Sequence, residues 1–319
     1  MGSDIHDVAA RLVQLGERQH RTLEAAFGII TNILTARSVD FQVKPITTIT
    51  PTWQRAELRV NGRPVSAKPT GLVSGTVTGK DSLVSSLIGS RFLLEQPNLN
   101  FNPRNLGNTS ISAGNFYFAP SFAVSISTVW SILAAKTVSG TLSVRKQRGT
   151  AKQILVGNLQ APRQIVFTHY DSIGPGATDN ASGVATLLGT IARFPAVLDS
   201  SLFVIDPNEE LSYDRPTYWG HGYREFERRH TRLLEGCERI YSIDCVGNGC
   251  PTVVQDPEIT YLALPLQRSH KWEHKTFHVF SDIDRLMSVY HSDADTMEQL
   301  SPKYLEQTVD ALGHTLTGN

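Results

Sequence analysis

Five separated residues in the second half of the chain have the types that metal-assisted hydrolysis requires. His169 lies in FTHYDS, Asp179 in GATDNASG, Glu210 in PNEEL, Asp244 in YSIDCVG and His291 in VYHSDADT. Two divalent ions sharing one carboxylate need two histidines and three carboxylates around them, and this set supplies them. Glu209, directly before Glu210, stands where a proton-transferring base is wanted. The chemistry implied is attack by a metal-acidified water, with one carboxylate left over to carry its proton.

Taken singly, each residue is ambiguous. A lone histidine is more often a satisfied core side chain than a ligand, and adjacent acids are usually a solvated face. Company changes the reading. Asp171 follows His169 by two positions, and a carboxylate on the far ring nitrogen fixes the tautomer of a ligating histidine. Asp295 after His291 repeats the pairing. Glu209 and Glu210 follow an apolar run, so one side chain can turn inward while its neighbour faces a cleft.

Elements must position these groups. Apolar residues at three- and four-residue steps predict helix over residues 4–37. From residue 153 onward, short apolar runs at 154–156, 164–167, 202–205 and 240–243 alternate with helical patterns at 182–194 and after Ser301-Pro302. Such alternation implies an α/β fold, a mostly parallel sheet covered on both faces. His169, Glu209, Glu210 and Asp244 then fall at carboxyl ends of strands, where open α/β sheets place ligands. Residues 39–150 are rich in Thr, Ser, Val, Gly and Pro, with a hairpin signal at Asn61-Gly62. They read as an inserted β-rich domain dividing a main domain of residues 1–38 and 151–319.

With 319 residues there is room for two such units, and a formal net charge of zero gives no electrostatic case for nucleic acid or a membrane surface. No run approaches a membrane span, and the N-terminus does not resemble a secretory signal, so a cytoplasmic location is expected. Self-association into a homo-oligomer is compatible with the composition, although no periodic seam marks it. An odd number of cysteines, Cys237, Cys245 and Cys250, argues against a disulfide framework, with Cys245–Cys250 the one pairing open to it. The segment Gly75–Asp81 is one residue short of a phosphate loop, and Ser182 lacks a nucleophile-elbow setting. Trp219, His221 and Tyr223 read as packing, with pocket lining as the alternative.

The motifs HYDS, GATDNASGVA, NEEL, IDCVG and YHSDADT, in that order, resemble the dizinc exopeptidases that include bacterial aminopeptidases, aminopeptidase Y and glutamate carboxypeptidase. The resemblance spans about residues 153–319, and the β-rich insert is similar to the protease-associated lid of many members. It implies a three-layer α/β/α zinc-peptidase domain with two zinc ions, for which cobalt or manganese are possible substitutes, and a peptide substrate. By position, Asp179 would bridge the ions. His169 and Asp244 would complete one site, Glu210 and His291 the other. Glu209 would be the general base, Asp171 the partner of His169, and Tyr290 a donor to the oxyanion. Aminopeptidase activity is the expectation, because a free amine needs only acids near the metals. A carboxypeptidase would want arginines, for which Arg215 and Arg285 are available. A catalytically silent binding homologue and a one-zinc glutaminyl cyclase are the further alternatives.

Overall fold

The short apolar runs of the second half become central strands of one mixed sheet. The computed structural model describes residues 2–89, 95–105 and 110–318. The sheet's strands are β1 (Phe41–Val60), β2 (Arg63–Val65), β3 (Gly75–Thr78), β4 (Val138–Gly157), β5 (Gln164–His169), β6 (Ser201–Asp206), β7 (Arg239–Ile243), β8 (Thr252–Val254) and β9 (Thr276–Phe280). Their order is β8-β9-β7-β5-β6-β4-β1-β2, with β3 also on β4. Strands β6, β5, β7 and β9 run parallel, flanked by antiparallel β4 and β8. Every residue of β5 and β6 is buried, as expected of unbroken apolar runs covered on both faces.

Alternation along the strands divides the core in two. Ile154, Val166 and Phe203 pack under helices Gly2–Val13, His20–Ala36, Ser182–Arg193 and Pro302–Thr317. Leu155, Ile165, Phe167 and Val204 face Tyr223 and Phe226 of helix His221–Gly236, with Leu264 and Trp272. The helix expected over 4–37 is two helices. The break at residues 14–19 contains Gly16 at φ +72° and the fully buried Arg18, whose role appears at the site below.

The β-rich excursion is built on one long hairpin. β1 and β4 pair from Phe41↔Val156 to Val60↔Val138, with a bulge between Trp53 and Arg55 that accommodates twist. Pro45 and Pro51 are tolerated because β2 reaches only Leu58–Val60, leaving that stretch of β1 an edge. Asn61 and Gly62 turn the chain at φ +49° and +77°. The base of the hairpin belongs to the main sheet, and β4 runs unbroken through position 150. The outer half, with a four-stranded sheet of residues 68–69, 121–123, 98–101 and 83–85, closes its own core around Leu58, Val77, Leu99 and Phe122. A further cluster joins Leu72, Ala113 and Phe116 of the excursion to Ile173, Leu211, Tyr218 and Trp219. No helix among the described residues is long and apolar enough to cross a membrane. All three cysteines are free thiols, including Cys245 and Cys250.

Candidate metal centre

His169 is the last residue of β5, Glu209 and Glu210 lie in the loop after β6, and Asp244 directly follows β7. Three adjacent strand ends therefore aim side chains at one point. Asp179 comes from the loop that opens helix Ser182–Arg193, after Gly176 at φ +55°. A side chain at Gly176 would lie 2.2 Å from the Asp179 carbonyl, so only glycine lets this loop fold so tightly. His291 arrives from the far end of the chain, itself at φ +50°.

The five residues meet around Asp179. Its Oδ1 lies 3.3 Å from His169 Nε2 and its Oδ2 lies 3.3 Å from His291 Nε2. Asp244 Oδ1 is 3.5 Å from His169 Nε2, and Glu210 Oε2 is 2.9 Å from His291 Nε2. Two ligand groups result, His169–Asp179–Asp244 and Asp179–Glu210–His291, sharing the aspartate.

The donor set fits divalent ions. His169 Nδ1 lies 3.2 Å from the Asp171 carbonyl and 3.3 Å from its carboxylate, while His291 Nδ1 lies 3.1 Å from the Ala113 carbonyl. With a proton on each Nδ1, both Nε2 lone pairs face carboxylate oxygens. Both Nε2 atoms and Glu210 Oε1 are buried without a hydrogen-bond partner. Lone pairs converging in this way call for protons or cations between them. In the metal-free chain protons fill that role. Burial disfavours a charged imidazole at His169 and His291, but the surrounding acids override it and raise both well above the ordinary range. Burial likewise works against Asp179, yet the two protonated histidines 3.3 Å away hold its carboxyl low.

A layer of buried groups holds these ligands. Asp171 accepts hydrogen bonds from the backbone amides of Glu209 (3.1 Å) and Glu210 (3.0 Å) besides abutting His169. Asp295 does not pair with His291, contrary to the sequence pattern. Its carboxylate accepts from the amides of Thr178 and Asp179, at 2.9 and 3.1 Å, and so fixes the shared aspartate's loop. The Asp179–Asn180 peptide is cis, and Asn180 ties the loop to Ile243 O at the end of β7. Arg18 spans the same loop, donating to the carbonyls of Tyr170 (2.8 Å), Pro175 (2.6 Å) and Gly176 (3.0 Å). Burial lowers its pKa to about 10, which leaves it charged at neutral pH. Arg18 and Ala113 escaped the sequence reading. A lone arginine between helices has no motif, and a backbone carbonyl has no side-chain signature at all.

Glu209, Glu210, Asp179, Asp244 and His291 line one cavity of about 370 Å³ with Tyr290, Trp219 and an apolar wall. Burial, eased by His169 and reinforced by Glu210, pushes the Glu209 carboxyl well above the carboxylate range. Burial and Asp179 raise Glu210 to about 7. Tyr290 stacks on His291 with ring centroids 3.7 Å apart, and burial keeps its phenol protonated far above neutral pH. Of the aromatic trio after Glu210, Trp219 does line the cavity. Tyr223 is core, and His221 bonds to Asp214 and the Thr47 carbonyl.

The mixed α/β sheet thus gathers a buried histidine–carboxylate cluster at its strand ends, in two groups that could each hold a metal ion. Residues 155–211, which contain His169, Asp179, Glu209 and Glu210, match the model of Peptidase family M28. BSAP, a zinc aminopeptidase from Bacillus subtilis, has a similar fold at a TM-score of 0.70 and 14% identity, over 99% of this chain and 94% of that one. A Peptidase M28 precursor from Shewanella amazonensis gives 0.65 at 14% identity, over 98% and 92%. An aminopeptidase from Aneurinibacillus sp. gives 0.62 at 13%, again over 98% and 92%. No curated protein sequence matches the chain.

Proposed function

We propose that the chain is an aminopeptidase, a dizinc exopeptidase that cleaves the first peptide bond of a peptide with a free amino terminus. One observation carries the reading: the two carboxylate oxygens of Asp179 face different histidines, so two ligand sets share one bridging residue. His169 and Asp244 would complete one zinc site, Glu210 and His291 the other, with cobalt or manganese as possible replacements. Bound zinc supplies a polarised carbonyl and an acidified water. The other steps belong to the chain's own groups. Glu209, buried at the cavity wall and outside both ligand sets, takes the water's proton and returns it to the leaving amine, for about 10²–10⁴-fold in rate. Tyr290 O–H donates to the developing oxyanion.

Acids at the cavity suit a free amine. No lysine or arginine is among the described residues lining it. Arg215 is engaged by Glu95 and the Phe118 ring, and Arg285 by the carbonyls of Asn248 and Glu298. We read residues 39–150 as a distinct unit covering this site, since Ser86, Leu87, Gly114 and Asn115 form one side of the cavity. The test pairs amino-blocked with carboxyl-blocked peptides on zinc-loaded protein. Cleavage of the carboxyl-blocked peptides alone is expected. Cleavage restricted to the amino-blocked peptides would make the chain a carboxypeptidase, and a protein that retains no zinc, cobalt or manganese would end the enzymatic reading.

A further inference from the structure

The cavity continues from the metal ligands into an apolar pocket walled by Ile259, Leu262, Phe280, Leu286 and Met287. Such a wall suits an aliphatic or aromatic side chain. Set into it is His278 of β9, only 2% exposed. Its Nε2 lies 2.7 Å from Thr260 Oγ1, and that hydroxyl donates to the Asp256 carbonyl at 2.9 Å. With the hydroxyl proton committed to Asp256, Nε2 carries the ring proton and donates to Thr260. Nδ1 is then a bare acceptor, and it has no partner. The opposite tautomer would leave a buried N–H unpaired, which folded proteins tolerate less readily than an under-used acceptor. Burial keeps the ring neutral, lowering His278 to about 4. Ser242, a polar neighbour on the same wall, already donates to the Ala263 carbonyl at 3.4 Å.

We propose that His278 reads the terminal side chain of the substrate, its Nδ1 accepting a hydrogen bond from a donor at the end of an otherwise apolar group, as in tyrosine or tryptophan. The proposal rests on the amino-terminal peptidase reading, which puts the first side chain in this pocket. An acceptor there rewards a phenol over a phenyl ring. Without it, a buried hydroxyl is a cost and the phenyl ring is favoured.

The experiment compares tyrosyl and phenylalanyl p-nitroanilides by kcat/KM. It also compares tyrosinol and phenylalaninol by calorimetry on the same zinc-loaded protein. The native chain should favour the tyrosyl compounds about five- to tenfold in both assays. In His278→Leu the ratio should fall to one or below. Thr260→Val should do the same by releasing the tautomer, whereas Thr260→Ser should keep the native ratio. Because each ratio is taken within one preparation, partial unfolding of a variant cancels, and Thr260→Val decides the matter if His278→Leu does not fold. A native ratio near one in calorimetry, or a native ratio retained in His278→Leu, overturns the proposal. Tighter tyrosinol binding without anilide hydrolysis would instead refute the peptidase reading and leave the role of His278 standing.

Discussion

Replacing Asp171 with asparagine changes almost no volume and tests how the ligands are held. The fully buried carboxylate accepts from two consecutive amides, Glu209 N through Oδ1 and Glu210 N through Oδ2, while Oδ1 lies 3.3 Å from His169 Nδ1. An asparagine offers one oxygen, so at one amide a donor would meet a donor. Losing a charge-assisted bond and stranding a buried N–H costs about 2–4 kcal/mol. In the metal-free chain the lost charge relieves repulsion with Glu209 but also takes an attractive partner from the charged Arg18 and His169, so it does not cancel this cost. The metal-free protein should therefore lose about 2–4 kcal/mol. For zinc the two effects share a sign, since distorted ligands and reduced negative charge both weaken binding. Zinc affinity should fall about 10–100-fold, in the range for loss of a group that orients metal ligands. A competing-chelator titration measures the affinity and urea unfolding of the metal-free protein the stability. Zinc affinity within threefold of native would refute the claim that Asp171 positions the centre.

Glu209→Gln should keep both metals, as measured by elemental analysis, and lose about 10²–10⁴-fold in turnover; near-native activity would remove Glu209 from the base role. His291→Ala should lose one ion per chain and most activity, and unchanged metal stoichiometry would contradict its assignment. His278 gives a pH signature in the metal-free protein. Its pKa is about 4 when folded against 6.5 when unfolded, so between those values the unfolded chain binds more protons. The stability it contributes is complete above pH 6.5 and falls by about 3 kcal/mol as pH drops through that window. The difference in urea-unfolding free energy between the native chain and His278→Leu should show this slope, and a flat difference would place the ring in solvent.

Much of the candidate site was legible because the residues it brings together are tied to local patterns. The runs Gln164–Phe167 and Leu202–Ile205 are apolar enough to be buried strands, so His169 and the glutamate pair had to lie at strand ends. Asp179 stood out through the glycines around it. Where partners are distant in sequence, local pattern misled or was silent. Asp295 lies four residues from His291, yet its carboxylate serves amides 116 and 117 positions away. The apolar steps over residues 4–37 were real, since both helices pack on the same face, but they hid the break where Arg18 crosses to the Tyr170–Gly176 loop. His278 carried no motif, because its chemistry depends on a threonine from another element taking up one ring nitrogen.

The excursion and the centre are physically one arrangement. Four of the five candidate ligands are fixed by strand ends of the main sheet or by the loop that Asp295 and Arg18 brace. His291 is different. It sits in a loop, in a left-handed backbone conformation that a non-glycine residue adopts only when its surroundings impose it. Those surroundings belong to the excursion. Ala113 N donates to His291 O at 2.9 Å, His291 Nδ1 donates back to Ala113 O at 3.1 Å, and Ser112 Oγ and Asn102 Nδ2 donate to the carbonyls of Tyr290 and Met287. Docking of Asn102, Ser112 and Ala113 thus orients His291, and these residues make no hydrogen bond to His169 or Asp244 among the described contacts. The two ligand sets differ accordingly: the one with Glu210 and His291 depends on contacts across 178 residues of chain, and the one with His169 and Asp244 is built into the sheet. A disturbance of the excursion would therefore reach the candidate centre through the group with Glu210 and His291 before the group with His169 and Asp244.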